Sequence, residues 1–284
     1  MSYEKPDALV STEWLAAHLG DANLRIVDAT YVMGVPGRTG AQDYAGKHIP
    51  GAVFWDLEAI SDKGNPLPVM LPQAEAFAAA VGALGIGNDT QVVVYDNTAL
   101  LGSARVWWML RSFGHDKVAV LDGGIGKWVA EGRPTESGAQ KPVAAATFTP
   151  KPRRELVRDF DAMRRNVDTK AEQVVDARAP GRFNGTDPET RPGSRGGHIP
   201  GSVNLPYAKV LTGEHKTFAA PDALKAQYEA AGLDTDKPIA VTCGGGISAP
   251  VLALGLHLIG RKDTPVYDAS WNEWGTRPDA PVEK

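Results

Sequence analysis

"IAVTCGGGISAPVLALGLHLIG", residues 239–260, contains no Asp, Glu, Lys or Arg. Its length alone would suit a membrane-spanning helix, which needs about 20 apolar residues. Three consecutive glycines, Gly244 to Gly246, and Pro250 in the middle argue against one continuous helix. The stretch divides instead into a β-branched run, a tight loop at the cysteine, and an apolar helix. That helix is expected to begin near Ser248, a candidate N-cap, with Pro250 in its first turn. A strand and a helix that both lack charge are both buried, which predicts a sheet covered on two faces and no membrane span.

The same alternation runs along the chain. "LRIVDA" (24–29), "TQVVVYD" (90–96) and "KVAVLDGG" (117–124) read as short buried strands, as do "EQVVDAR" (172–178), "KPIAVTC" (237–243) and "TPVYDA" (264–269). "PQAEAFAAAVGALG" and "PDALKAQYEAAG" read as helices, framed by Pro72 and Gly85 and by Pro221 and Gly232. Strands alternating with helices define an α/β class with mainly parallel sheets.

The order also repeats. "HIPG" begins at His48 and again at His198; Asp28 is matched by Asp176, Asp96 by Cys243, and Leu121 by Tyr267, at offsets of 150, 148, 147 and 146. Four matches in one order at nearly constant spacing indicate two copies of one domain. The expected division is 1–135 and 156–284, with a Pro-, Ala- and Thr-rich linker at 136–155. In such sheets ligands gather beyond the carboxyl ends of the strands, where Cys243 falls.

The whole-chain properties narrow the function. The net charge of −4 gives no basic surface for a nucleic acid. The N-terminus has no apolar secretory core, and a single cysteine forms no internal disulfide, so a reducing, cytoplasmic setting is expected. Nothing in the sequence calls for a cofactor or a metal.

Cys243 could be an inert strand residue. The glycine loop and helix start favour chemistry: backbone N–H groups of Gly244, Gly245, Gly246, Ile247 and Ser248 can turn toward one sulfur and hold negative charge there. The matching residue of the first copy is Asp96, which cannot act as a thiolate nucleophile. The first copy is therefore expected to keep the fold without the chemistry, as a wall of the site.

Taken together, the two "HIPG" elements, the cysteine loop after a strand and the C-terminal "YDASWNEWG" resemble the two-domain rhodanese-like sulfurtransferases over essentially the whole chain. The resemblance implies two tandem rhodanese-like domains and a Cys243 that takes a sulfane sulfur as a persulfide and passes it on. "CGGGISA" is similar to the loop of the 3-mercaptopyruvate enzymes, nearly free of charge, although Gly245 stands where that group often has a hydroxyl residue. Within "DARAPGRFNGTDPETR" the resemblance assigns substrate binding to Arg182 and Arg191, and a guanidinium suits the carboxylate of a 2-oxo acid. His48 corresponds to a histidine proposed for a relay in some relatives, but no acid lies between Tyr31 and Gln42 to complete it. The repetition of "HIPG" makes a structural role the better reading of both histidines. Asp28, Asp176, Trp271 and Trp274 are read as structural.

The partners implied are a small anionic sulfur donor and a thiol, cyanide or thioredoxin-like acceptor. Three alternatives differ in chemistry. Thiosulfate could be the donor, or the protein could be a non-catalytic sulfur carrier or redox module. A cysteine phosphatase needs an arginine six residues after the cysteine, where this chain has Ala249.

Overall fold

Each alternating run of the sequence becomes a strand or helix in a computed structural model that describes residue 3 and residues 6–284. The first half runs β1 (Leu9–Val10), α1 (Thr12–His18), β2 (Leu24–Asp28), α2 (Gly40–Gly46), β3 (Val53–Phe54), α3 (Ala74–Ala83), β4 (Gln91–Tyr95), α4 (Leu101–Ser112), β5 (Val118–Leu121) and α5 (Gly124–Ala130). The second runs β6 (Val157–Arg158), α6 (Phe160–Thr169), β7 (Gln173–Asp176), α7 (Pro180–Phe183), β8 (Val203–Asn204), β9 (Leu211–Thr212), β10 (Thr217–Phe218), α8 (Pro221–Ala230), β11 (Ile239–Thr242), α9 (Ala249–Leu258), β12 (Val266–Tyr267) and α10 (Ser270–Trp274).

The sheets are ordered β1-β5-β4-β2-β3 and β6-β12-β11-β7-β8, with every neighbouring pair parallel. Strand for strand, one order is the image of the other, so the sequence repeat is a repeat of fold. The second copy adds an antiparallel β9-β10 hairpin. In each sheet the chain steps outward from the second strand and then jumps back across it. The second copy therefore has its switch point between β7 and β11, the place where sheets of this kind form a ligand crevice.

The uncharged run 239–260 owes its composition to the meeting of the two copies. Helices α4 and α9 lie against each other. One hydrophobic cluster continues through both, including Trp107, Met109 and Leu110 from the first copy and Leu252, Leu254 and Leu256 from the second. Burying one such side chain contributes about 1.5–3 kcal/mol, and α9 sits between its own sheet and α4 with little face left for water. The outer sheet faces have separate clusters, around Trp128 in the first copy and Trp274 in the second. Among the described residues no helix is long and apolar enough to cross a membrane.

The segment 136–155 is strapped to the first copy. Ala146 N–H donates to Gly82 O at 2.9 Å, and Lys151 N–H to Phe113 O at 2.8 Å. Phe148 is buried against Phe77. Its Pro- and Ala-rich composition leaves residues 137–153 without helix or strand, but hydrogen bonds tie its backbone to the first copy and Phe148 lends that core an aromatic ring.

Asp28, at the end of β2, is buried and accepts the Thr30 N–H at 2.9 Å. Burial pushes its pKa up to about 6, against the Thr30 hydrogen bonds that lower it. An unfolded aspartate titrates near ~3.9. The folded chain therefore holds this proton where the unfolded chain has lost it, and the group costs stability as the pH rises from 4 through 6. The stability of Asp28→Asn relative to the parent should rise by roughly 2–3 kcal/mol between about pH 4 and 7. Urea unfolding at both pH values measures this, and an unchanged difference would contradict it.

Candidate active site

Strand β11 is wholly buried and delivers Cys243 to the crevice, with 1% of the residue exposed. The loop folds back so that the Gly246 N–H points at the Cys243 Sγ, 3.1 Å away. A hydrogen bond of this kind strengthens as negative charge gathers on sulfur. Gly246 has φ +76°, and a Cβ there would lie 2.4 Å from Asp268 O, so both backbone angle and space require glycine. Gly244 and Gly245 do not share the positive φ. The space beside them is taken by side-chain ends: a Cβ on Gly244 would lie 2.9 Å from Arg182 Nη2, and one on Gly245 would lie 2.6 Å from Asn272 Nδ2, so a side chain at either position would have to displace that group. Ile247 is buried. Ser248 occupies the N-cap position of α9, but its hydroxyl does not cap: its backbone is already helical, at φ −89° and ψ −22°, and no side-chain bond forms.

The start of α10 forms the floor beneath the loop. Trp271 N–H donates to Cys243 O at 3.0 Å and Asn272 N–H to Gly244 O at 2.7 Å. The Ser270 hydroxyl accepts the Cys243 N–H at 3.1 Å, donates to Tyr267 O, and lies 3.8 Å from Sγ. Ser270 holds φ +50°, a conformation that costs a non-glycine residue of order 1 kcal/mol. The sequence reading missed Ser270. A signal existed: its counterpart in the first copy is Gly124, with φ +55°. A serine kept where the sister copy uses glycine points to a use for the hydroxyl. Trp271 and Trp274 are fully buried, and their indole N–H groups donate to Arg195 O and Pro281 O.

Arg105 was also missed. It is the only charged residue in "ALLGSARVWWML" (99–110), is 0% exposed, and reaches across from the first copy. Its Nη1 donates to Gly246 O at 3.1 Å and to Asp268 Oδ1, and its Nη2 to Val69 O at 2.6 Å. The other Asp268 oxygen accepts Leu71 N–H at 2.8 Å. The first copy thus holds the residue whose N–H faces the sulfur.

The two arginines named from sequence end in different places. Arg182, on α7 after β7, lies against Gly244 and is 24% exposed at its side chain. Its Nε and Nη2 bind Glu189 Oε2 at 3.1 and 2.6 Å. Glu189 also takes Arg178 Nη1 at 2.7 Å, and Arg178 grips Asp176 while stacking on Trp271 at 4.4 Å. Arg182 is therefore oriented by a buried ion-pair chain that leaves its Nη1 beside the loop. Arg191 is half-buried in the cleft between the copies, about 660 Å³ in volume, with Asp268, Ala269 and Glu273. The structure brings Arg182 to the cysteine loop and places Arg191 on the wall of the cleft.

His48 and His198 are placed alike. His48 Nδ1 is 2.7 Å from Tyr44 O, its Nε2 is 3.8 Å from Glu136, and its ring stacks on Tyr44. His198 bonds Phe183 O at 2.9 Å, faces Glu283 at 3.7 Å and stacks on Phe183. Each backbone also exchanges hydrogen bonds with that same glutamate. Both histidines thus tie an "HIPG" turn to the end of their own copy, and both ring nitrogens of His48 face groups of the first copy.

Asp96 ends β4 as Cys243 ends β11, and its carboxylate accepts N–H groups from Thr98, Leu100 and Ser103 at 2.7, 3.1 and 2.7 Å. The first copy therefore fills its own anion-binding loop with a side-chain carboxylate. Among the described residues no three His, Cys, Asp or Glu side chains gather as a metal set.

Two linked parallel sheets, one with a cysteine at its switch point and one with an aspartate plugging the matching loop, define a duplicated α/β protein. The model for the rhodanese-like domain matches residues 11–131 and 159–277, so the chain belongs to the rhodanese-like family and carries two copies of its domain. It is 42% identical to the 3-mercaptopyruvate sulfurtransferase of Escherichia coli K12 over 96% of this chain and 97% of that one. It is 43% identical to the thiosulfate sulfurtransferase of Bos taurus over 97% and 94%. The crystal structure of the Escherichia coli 3-mercaptopyruvate sulfotransferase SseA superposes with a TM-score of 0.85 at 37% identity, covering 94% of this chain and 99% of that one.

Proposed function

We propose that the protein is a sulfurtransferase that moves the sulfur of 3-mercaptopyruvate through a persulfide on Cys243. The observation that carries this reading is the placement of Arg182 on the same loop as a sulfur that already faces a backbone donor, Gly246 N–H at 3.1 Å. The Cys243 thiolate attacks the donor sulfur, the carbon–sulfur bond breaks, and its electron pair leaves on the pyruvate enolate, which takes up a proton. Attack on the outer sulfur by a thiol, cyanide or a thioredoxin-like thiol then returns the Cys243 thiolate. Arg182 would grip the donor carboxylate through its remaining N–H groups, Arg191 would draw anions into the cleft, and the first copy would act as a wall of the site whose Arg105 holds Gly246 in place. The single cysteine suits a reducing compartment such as the cytoplasm.

Thiosulfate is the second reading, favoured by the likeness to the bovine enzyme. The loop from Gly244 to Ser248 argues against it, because no side chain there is basic to meet a dianion. Measuring kcat/KM for both donors decides between them, with 3-mercaptopyruvate expected to be preferred. Arg182→Ala should lower the 3-mercaptopyruvate value by about 10- to 100-fold, the effect of a lost charge-assisted hydrogen bond. Arg191→Ala should cost less and should lose its effect at high salt. A preference for thiosulfate would overturn the donor assignment.

A further inference from the structure

Gly244 and Gly245 each leave a space that a polar side chain from elsewhere enters. Over Gly244 the occupant is Arg182, and over Gly245 it is Asn272, whose Nδ2 stands 2.6 Å from where a Cβ would be. Asn272 is fixed at its backbone, with its N–H on Gly244 O at 2.7 Å. Its side-chain amide makes no hydrogen bond among the described residues, and the residue is half-buried. A rigidly based amide with spare donors, lying over the residue next to the one Arg182 covers, is a second recognition group above the same loop.

The geometry points to Asn272 as a specificity-determining residue that donates to the 2-oxo oxygen of the sulfur donor while Arg182 holds its carboxylate. This rests on the sulfur-transfer reading. Asn272 stands where a side chain at 245 would project, so the donor group that residue 245 lacks is supplied from α10. A 2-oxo acid offers two adjacent planar groups for an arginine and an amide; thiosulfate has no 2-oxo group for the second. A site built to hydrogen-bond a substrate group discriminates against the analogue without it.

The test is steady-state kinetics with both donors on the full chain. Asn272→Ala should lower kcat/KM for 3-mercaptopyruvate by about 10- to 100-fold, mainly through KM, and change the thiosulfate value by about three-fold or less. Asn272→Asp, which keeps the shape but sets an acceptor and a like charge against the donor, should fall further. Gly245→Ser combined with Asn272→Ala should recover part of the loss, since a hydroxyl then occupies the vacated space. An equal fall for both donors would mark a merely structural residue and overturn the assignment, as would an unchanged 3-mercaptopyruvate value. If the parent forms no persulfide from 3-mercaptopyruvate by intact mass, the sulfur-transfer reading fails and this inference falls with it. Persulfide formation in the parent with an unaffected Asn272→Ala sinks only the role of Asn272.

Discussion

Replacing Cys243 by serine should abolish sulfur transfer while leaving the protein folded. Serine is close to cysteine in size, and its oxygen can still accept the Gly246 N–H that now faces the sulfur. An alkoxide is not available at neutral pH, and oxygen cannot carry the transferred sulfur as a stable intermediate. The loss should exceed about 1,000-fold, as expected when the nucleophile of a covalent mechanism is removed. Product release from 3-mercaptopyruvate with a cyanide acceptor measures turnover, and intact mass after donor addition measures the persulfide. Turnover within ten-fold of the parent, about 1.4 kcal/mol of barrier, would end the proposal. The persulfide measurement also separates an enzyme from a carrier, since a carrier takes up sulfur without turning over.

Arg105→Leu should produce the largest loss of stability of any single charge removal at the junction of the copies. Arg105 is wholly buried, and the side chain of its partner Asp268 is only 12% exposed. Deleting one member of such a pair leaves a buried charge uncompensated, at about 3–5 kcal/mol. It also orphans Val69 O and frees Gly246 O, so the residue facing the sulfur loses its anchor. Urea unfolding followed by tryptophan emission should show the destabilisation, and kcat should fall under conditions where the variant is still folded. Adding Asp268→Asn removes the orphaned charge and should restore roughly half of the stability without restoring kcat. Equal recovery of both would reduce Arg105 to a structural tie.

The residues that the sequence made legible are those with strong local rules. The strands at 24–28, 91–95, 118–121, 173–176 and 239–242 are runs of β-branched and apolar residues, and the helices at 74–83 and 221–230 carry proline and glycine at their ends. The edge strands β1, β3, β6 and β8 are two residues long, too short for any period, and exist only because a neighbouring strand offers them hydrogen bonds. The β9-β10 hairpin has no counterpart among the described residues of the first copy, so the repeat could not announce it.

The site divides in the same way. Sequence by itself determined the duplication, the α/β class, the strand–glycine loop–helix around Cys243 and the asymmetry between Cys243 and Asp96, because each depends on neighbours along the chain or on comparing one copy with the other. Tertiary structure alone decided that Arg182 lies against the loop while Arg191 lines the cleft, although only eight residues separate them. It alone placed Arg105, Ser270 and Asn272 around the cysteine. These groups are 138 residues before it and 27 and 29 after it, and no local rule relates them. They meet because parallel strands bring all their carboxyl ends to one edge, and because α4 and α9 must bury their apolar faces on each other.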